Sequence, residues 1–156
     1  MEKRLKIPIS MWLRLNKTLR GASAGKRESG AFLLGKADTS KVSFYIPYHL
    51  LDPISLEEGY IHFKGEGYIK LWEICRRKQL TVIGDVHTHP GSNTNQSQLD
   101  RMHPMIFQKS HMALIIPNYA KRKLPTLQGI GIFEYQGDFI WKKYDTHSQR
   151  IKLTLI

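Results

Sequence analysis

Two short apolar runs constrain this chain more than any other feature. Residues 28–35 (ESGAFLLG) hold an apolar stretch between glycines, and Met112–Ile116 (MALII) is apolar throughout. Runs of this length and continuity read as buried strands. Buried strands need other elements packed against them.

The remaining pattern supplies those elements. Residues 3–9 read as a short strand. Ser10 is placed to cap a helix over 10–23, where Met11, Leu15 and Leu19 recur at helical spacing and Gly25 closes the run. Residues 41–50 (KVSFYIPYHL) are rich in aromatic and β-branched side chains and read as a strand. Residues 52–66 read as a loop, and 68–79 as a helix with Tyr68, Leu71, Trp72 and Cys75 on its inner face. Residues 80–86 (LTVIGDV) form a further strand, followed by a polar stretch over 91–98 and a helix start near Ser97. Residues 129–135 and 139–144 form a hairpin around Gln136-Gly137-Asp138. About six strands and two or three helices result, in mixed order, which indicates an α/β or α+β sandwich around a central sheet.

Composition narrows the class. A chain of 156 residues has the length of one domain, so we expect residues 1–156 to fold as a single unit. The single cysteine, Cys75, excludes an intrachain disulfide and a four-thiolate zinc site, and fits a reducing cytosolic setting. No apolar run reaches the length of a membrane span. Lys and Arg outnumber Asp and Glu by 24 to 13, giving a net charge of +11. That excess points to an acidic partner such as nucleic acid, an anionic membrane face or an acidic protein. The densest cationic set lies in the first 27 residues; Lys121-Arg122-Lys123 and Arg76-Arg77-Lys78 read as solvated faces.

The segment carrying chemistry follows the 80–86 strand. His87-Thr88-His89 is followed by Ser97 and then Asp100, in the spacing H-x-H, seven residues, S, two residues, D. Histidines at i and i+2 on a strand project to one side. Two imidazoles and one carboxylate make a three-ligand set that leaves a fourth tetrahedral position open, as catalytic zinc requires. Blander readings exist for each residue. An isolated H-x-H can simply end a strand, Ser97 with Asp100 also forms an N-capping pattern, and Glu28 can be a charge ahead of a buried strand. Asp85 alternates to the same face as His87; it reads as a solvated strand residue, with a role behind a ligand histidine as the alternative. His49, His62, His103, His111 and His147 have no partner at ligand spacing and read as surface or loop residues.

The spacing resembles the JAMM motif of the JAB/MPN metalloprotease family. That family pairs H-x-H-x7-S-x2-D with an upstream glutamate in a strand of the form E-x-x-G-x-L-x-G, and residues 28–35 supply E-S-G-A-F-L-L-G, with the second small residue one place off the commonest form. Many relatives carry proline before the serine, where this chain has Gln96. The resemblance implies a cytidine-deaminase-like α-β-α sandwich with a central mixed β-sheet. It implies that His87, His89 and Asp100 hold Zn2+, that Glu28 activates the zinc-bound water, and that Ser97 hydrogen-bonds the oxyanion. The implied reaction is hydrolysis of a peptide or isopeptide bond after the C-terminal tail of a ubiquitin-like protein, with residues 54–67 as a candidate edge or flap. Implied partners are that protein or its conjugate, and ubiquitin-activating-like and conjugating-like enzymes. A non-catalytic scaffold and a basic nucleic-acid-binding module are the alternatives.

Overall fold

A computed structural model describes residues 4–156. The chain opens with strand β1 (Leu5–Pro8) and helix α1 (Ile9–Ser23). Strands β2 (Gly30–Gly35) and β3 (Phe44–Pro47) follow, then a single helical turn α2 (Tyr48–Leu51) and helix α3 (Gly65–Lys78). The second half holds β4 (Thr81–Thr88), α4 (Gln98–Met102), β5 (Met112–Ile116), β6 (Gly131–Gly137), β7 (Ile140–Tyr144) and β8 (Ile151–Thr154).

Six strands form the central sheet in the order β3-β2-β4-β5-β6-β7, and β1 pairs with β8 separately. The β4–β5 pair is parallel and the other neighbours in the large sheet are antiparallel, so the sheet is mixed. Strands β2 and β5 are buried along their whole length, as their composition requires. Period-two alternation assigns their side chains to two cores. Ala31 and Leu33 of β2 join Trp12, Leu15 and Leu19 of α1, while Phe32 and Leu34 join Tyr48, Leu71 and Cys75. Helix α1 therefore covers one face of the sheet, and α2 with α3 covers the other. No helix among the described residues is long and apolar enough to cross a membrane.

Several local expectations are corrected. Ser10 does not cap α1: the helix begins at Ile9 behind Pro8, whose fixed φ suits a residue leading into a helix. The 41–50 strand shrinks to four residues, because Tyr48 turns inward as the start of α2 and packs edge-on against Phe32, with ring centroids 4.7 Å apart. Helix α3 starts a turn earlier than its side-chain pattern indicates, and Trp72 lies 48% exposed beside Tyr68 rather than on the inner face. Strand β8 carries no local signal; its register with β1, Leu5 opposite Ile151, spans nearly the whole chain.

Candidate metal centre and the cleft beside it

Strand β4 leaves the core at its C-terminal end with His87 and His89 on the α3 side of the sheet. Both rings are buried, 9% and 8% exposed. Thr88 points to the opposite side. Its hydroxyl meets Ser23 Oγ at 3.0 Å and accepts the Ser29 N–H at 3.0 Å, while its own N–H donates to the Ser29 carbonyl. Ser29 Oγ in turn donates to the Leu19 carbonyl and lies 2.7 Å from Ser23 Oγ. This buried hydroxyl cluster ties three segments together: the end of α1, the entry to β2 and the end of β4. Because Ser29 is fixed there, Glu28 is held at the mouth of the histidine pair. Ser23, Ser29 and Thr88 were not singled out by motif reading, since small hydroxyl residues scattered across 65 positions give no local signal.

The loop after His89 is anchored at both ends. Residues Asn118–Ala120 form a tight turn with three successive left-handed backbones, φ 54°, 52° and 60°. Such conformations cost L-residues roughly 1–2 kcal/mol each. In return the Asn118 and Tyr119 N–H groups donate to the Gly91 and His89 carbonyls at 3.0 and 2.9 Å. At the far end Ser97 caps α4 in a reciprocal box: its Oγ accepts the Asp100 N–H at 3.1 Å, and Asp100 Oδ2 accepts the Ser97 N–H at 2.9 Å. The capping reading of Ser97 therefore holds, and the same cap aims Asp100 back at the histidines.

The three side chains converge. His87 Nε2 and His89 Nε2 lie 3.2 Å apart, His87 Nε2 lies 3.3 Å from Asp100 Oδ1, and His89 Nε2 lies 3.1 Å from Asp100 Oδ2. A tetrahedral zinc site with metal–ligand distances near 2.05 Å has donor–donor edges of about 3.3 Å, so these donors stand where such an ion would hold them. The donor chemistry agrees. His89 Nδ1 donates to the Asn93 carbonyl at 2.9 Å, which leaves Nε2 as the atom able to ligate. His87, His89 and Asp100 together form a group that could hold a metal ion. Burial acts to raise the Asp100 pKa, but hydrogen bonds from His87, His89 and the Ser97 N–H outweigh it and hold the carboxyl well below the usual range. Burial acts to lower that of His89, and the Asp100 and Asn93 contacts reverse it, leaving the pKa raised.

A cleft of about 510 Å³ opens beside this group, and Glu28 and Ser97 both line it. Tyr60, Phe63 and Tyr68 form one wall, and Leu99, Met105 and Trp141 line it as well. The 54–67 segment contributes as a wall of turns and not as a strand; the Glu28 N–H donates to the Gly59 carbonyl at 2.8 Å, pinning the two together. Burial pushes the Glu28 pKa up, with His87 opposing and Asp100 reinforcing the rise.

Two sequence expectations fail nearby. Asp85 is not solvated, being 2% exposed, and His111 is not a surface residue, being 5% exposed. They pair with each other at 2.6 Å, and Asp85 lies on the cleft floor beside Tyr48. Parallel pairing of β4 with β5 brings them together, a relationship that a separation of 26 positions hides.

A family model for prokaryotic homologs of the JAB domain matches residues 16–124, a stretch containing Glu28, both site histidines, Ser97 and Asp100. Among solved structures, the chain is similar to a protein from Desulfitobacterium hafniense, with a TM-score of 0.65 and 20% identity over 96% of this chain and 92% of the other. It is also similar to a protein from Salinibacter ruber, with a TM-score of 0.60 and 13% identity over 96% and 91%. At these identities the likeness concerns the fold. A JAB1/MPN domain protein from Archaeoglobus fulgidus aligns with a TM-score of 0.48 and 18% identity over 97% of this chain and 98% of that one.

Proposed function

The chain belongs to the family of prokaryotic homologs of the JAB domain, and from that premise we propose that it is a zinc-dependent peptidase or isopeptidase. Its substrate in this reading is the flexible C-terminal tail of a ubiquitin-like protein, as a conjugate or an unprocessed precursor. The observation that carries the proposal is the convergence of His87 Nε2, His89 Nε2 and the Asp100 carboxylate within 3.1–3.3 Å of one another, at the edge of a cleft that Glu28 also lines.

His87, His89 and Asp100 would hold the ion, leaving one tetrahedral position open. When bound, zinc supplies Lewis acidity, lowering the pKa of water toward ~7 and polarising a carbonyl. The residues of the chain do the rest. Glu28, in its carboxylate form, takes the proton of the attacking water and then delivers it to the leaving amine. Its partly buried position and raised pKa suit a group that must both accept and return a proton. Ser97 Oγ accepts the Asp100 N–H, so its own O–H is available to donate to a carbonyl oxygen gaining negative charge. The aromatic wall of Tyr60, Phe63 and Tyr68 narrows the approach and favours an extended, small-residue tail over a folded loop.

The test is metal content by elemental analysis, paired with cleavage of ubiquitin-like fusion substrates. Wild-type protein purified without affinity histidines should carry about one zinc per chain and lose cleavage on chelation. His89→Ala should lose both. Zinc bound without cleavage of any fusion would move the reading to a non-catalytic scaffold, and no zinc in either protein would overturn it.

A further inference from the structure

Two long segments of this chain contain no acidic residue: positions 3–27 and 101–133. The fold packs α1 against the 118–126 part of the second segment on the α1 side of the sheet. Trp12 Nε1 donates to the Thr126 carbonyl at 3.2 Å, and Arg20 donates to the Ala120 carbonyl at 2.8 Å. Along α1 the stripe Trp12, Asn16, Arg20 faces this second segment. Turning outward around the helix brings Lys17 next to Arg20, then Arg14 next to Lys17. On the other side of the seam stand Lys121, Arg122 and Lys123. Arg14, Lys17 and 121–123 are all exposed, and none forms an ion pair with a carboxylate among the described residues.

We infer that this continuous cationic face, Arg14, Lys17, Arg20 and 121–123, is a docking surface for the sugar-phosphate backbone of a nucleic acid. The character of the face selects that partner over an acidic protein. Protein interfaces are centred on desolvated apolar and aromatic anchors, with lysine depleted. Here the charges, apart from half-buried Arg20, are long, exposed side chains, and the exposed apolar residues among them are Leu13 and Leu124. The apolar surface that a protein partner would favour lies elsewhere: Leu99, Met102, Phe107, Phe139 and Ile140, 46–66% exposed, on the α4 and β6–β7 side next to the cleft. Tyr119, half-buried and next in sequence to Ala120, whose carbonyl Arg20 holds, is a residue type on whose ring bases stack. The face lies on the side of the sheet opposite α3, so an occupant would leave the cleft open. The left-handed turn joins the two, because Asn118 and Tyr119 hold Gly91 and His89 while 121–123 carry the charge.

The probe is a fluorescein-labelled mixed-sequence 20-mer, single-stranded and as duplex, read by anisotropy at several salt concentrations. Five phosphate contacts give a slope of log K against log salt of about −4.5 for duplex, or roughly 500-fold weaker binding from 50 to 200 mM salt. Reversing Arg14, Lys17, Lys121, Arg122 and Lys123 to glutamate should weaken binding at least about 100-fold at 50 mM salt and flatten the slope. A control reverses Arg76, Arg77 and Lys78 at the end of α3. If the control loses as much affinity per charge as the face variant, attraction is to net charge and the surface is refuted. Unchanged binding in the face variant refutes it too, as does wild-type binding to an acidic polypeptide such as polyglutamate at equal salt with none to either oligonucleotide. Circular dichroism and zinc content of each variant verify the fold and keep this outcome separate from that of the peptidase reading.

Discussion

His111 Nε2 donates to Asp85 Oδ2 at 2.6 Å, joining β4 to the residue that precedes β5, with both side chains almost fully buried. Removing one partner of such a pair leaves the other buried without its hydrogen bond, at a cost of about 3 kcal/mol or more. Asp85→Ala should therefore lower unfolding free energy by about 3 kcal/mol in urea titrations. Asp85→Asn keeps an acceptor for the imidazole and should lose less than half as much. The double variant Asp85→Ala with His111→Ala should be less destabilised than the two single losses added, since no orphaned partner remains. Strict additivity would mean that the two side chains do not depend on each other.

Ser97 caps α4 in the structure and donates to the oxyanion in the proposed mechanism, and substitution can part the two. Alanine at an N-cap costs about 1 kcal/mol of helix stability, whereas glycine costs only a few tenths. Ser97→Ala should loosen α4, swing Asp100 away and weaken zinc affinity. Ser97→Gly removes the hydroxyl while largely sparing the cap, so zinc content should stay near wild type while kcat falls by roughly 100-fold or more. Competition against a zinc indicator and steady-state kinetics on the same two proteins decide the matter; equal kcat in wild type and Ser97→Gly would leave Ser97 as a cap alone.

How legible all this was depends on how local each feature is. The buried strands β2 and β5 announce themselves by unbroken apolar runs, and the Ser97–Asp100 cap needs only three residues of spacing. The H-x-H pair is legible because a strand's alternation fixes both rings on one side. What the sequence concealed is non-local. Strand β8 exists through pairing with β1, some 146 positions away. Asp85 looked solvated because its partner His111 arrives only when β4 and β5 align. Tyr48 looked like a strand residue because nothing near it shows that Phe32 waits to receive its ring. The Ser23–Ser29–Thr88 cluster consists of residue types that are unremarkable alone, and only the fold collects them beneath Glu28.

Glu28 is held in its cleft with its pKa above the ordinary value, chiefly by burial. The unfolded chain therefore releases that proton at lower pH than the folded chain. Between the two values the folded state binds more protons, so stability falls as pH rises through that window, and the deficit persists above it. In metal-free protein, Glu28→Gln should melt higher than wild type at pH 7. The advantage should vanish below the ordinary carboxylate range, where both states of Glu28 are neutral. Turnover should be lost at every pH while zinc content holds, because the substitution removes a base and not a ligand. Scanning calorimetry at pH 3.5 and pH 7, alongside the cleavage assay, tests both halves; a variant that cleaves normally removes Glu28 from the mechanism.

Gly131, at the start of β6, packs against the loop that orients His89 without lining the candidate metal site. A Cβ at this position would stand 2.2 Å from the Thr94 carbonyl oxygen, a backbone atom that cannot rotate away. Thr94 is itself tethered, its Oγ1 donating to the Gly129 carbonyl at 2.8 Å, and Asn93 beside it receives His89 Nδ1–H. Gly131→Ala must therefore push the 93–95 backbone outward and pull on the hydrogen bond that orients His89. Loss of such an orienting contact typically weakens metal affinity 10–100-fold. Zinc at 100 times its Kd should stabilise wild type by about 2.7 kcal/mol, which for a chain of this size raises Tm by roughly 5–10 °C. With affinity reduced 100-fold, the same zinc concentration should stabilise Gly131→Ala by only about 0.4 kcal/mol. A melting series with and without zinc reads this directly: a shift in Gly131→Ala as large as in wild type would mean that the loop tolerates the methyl group and that His89 is held by other contacts.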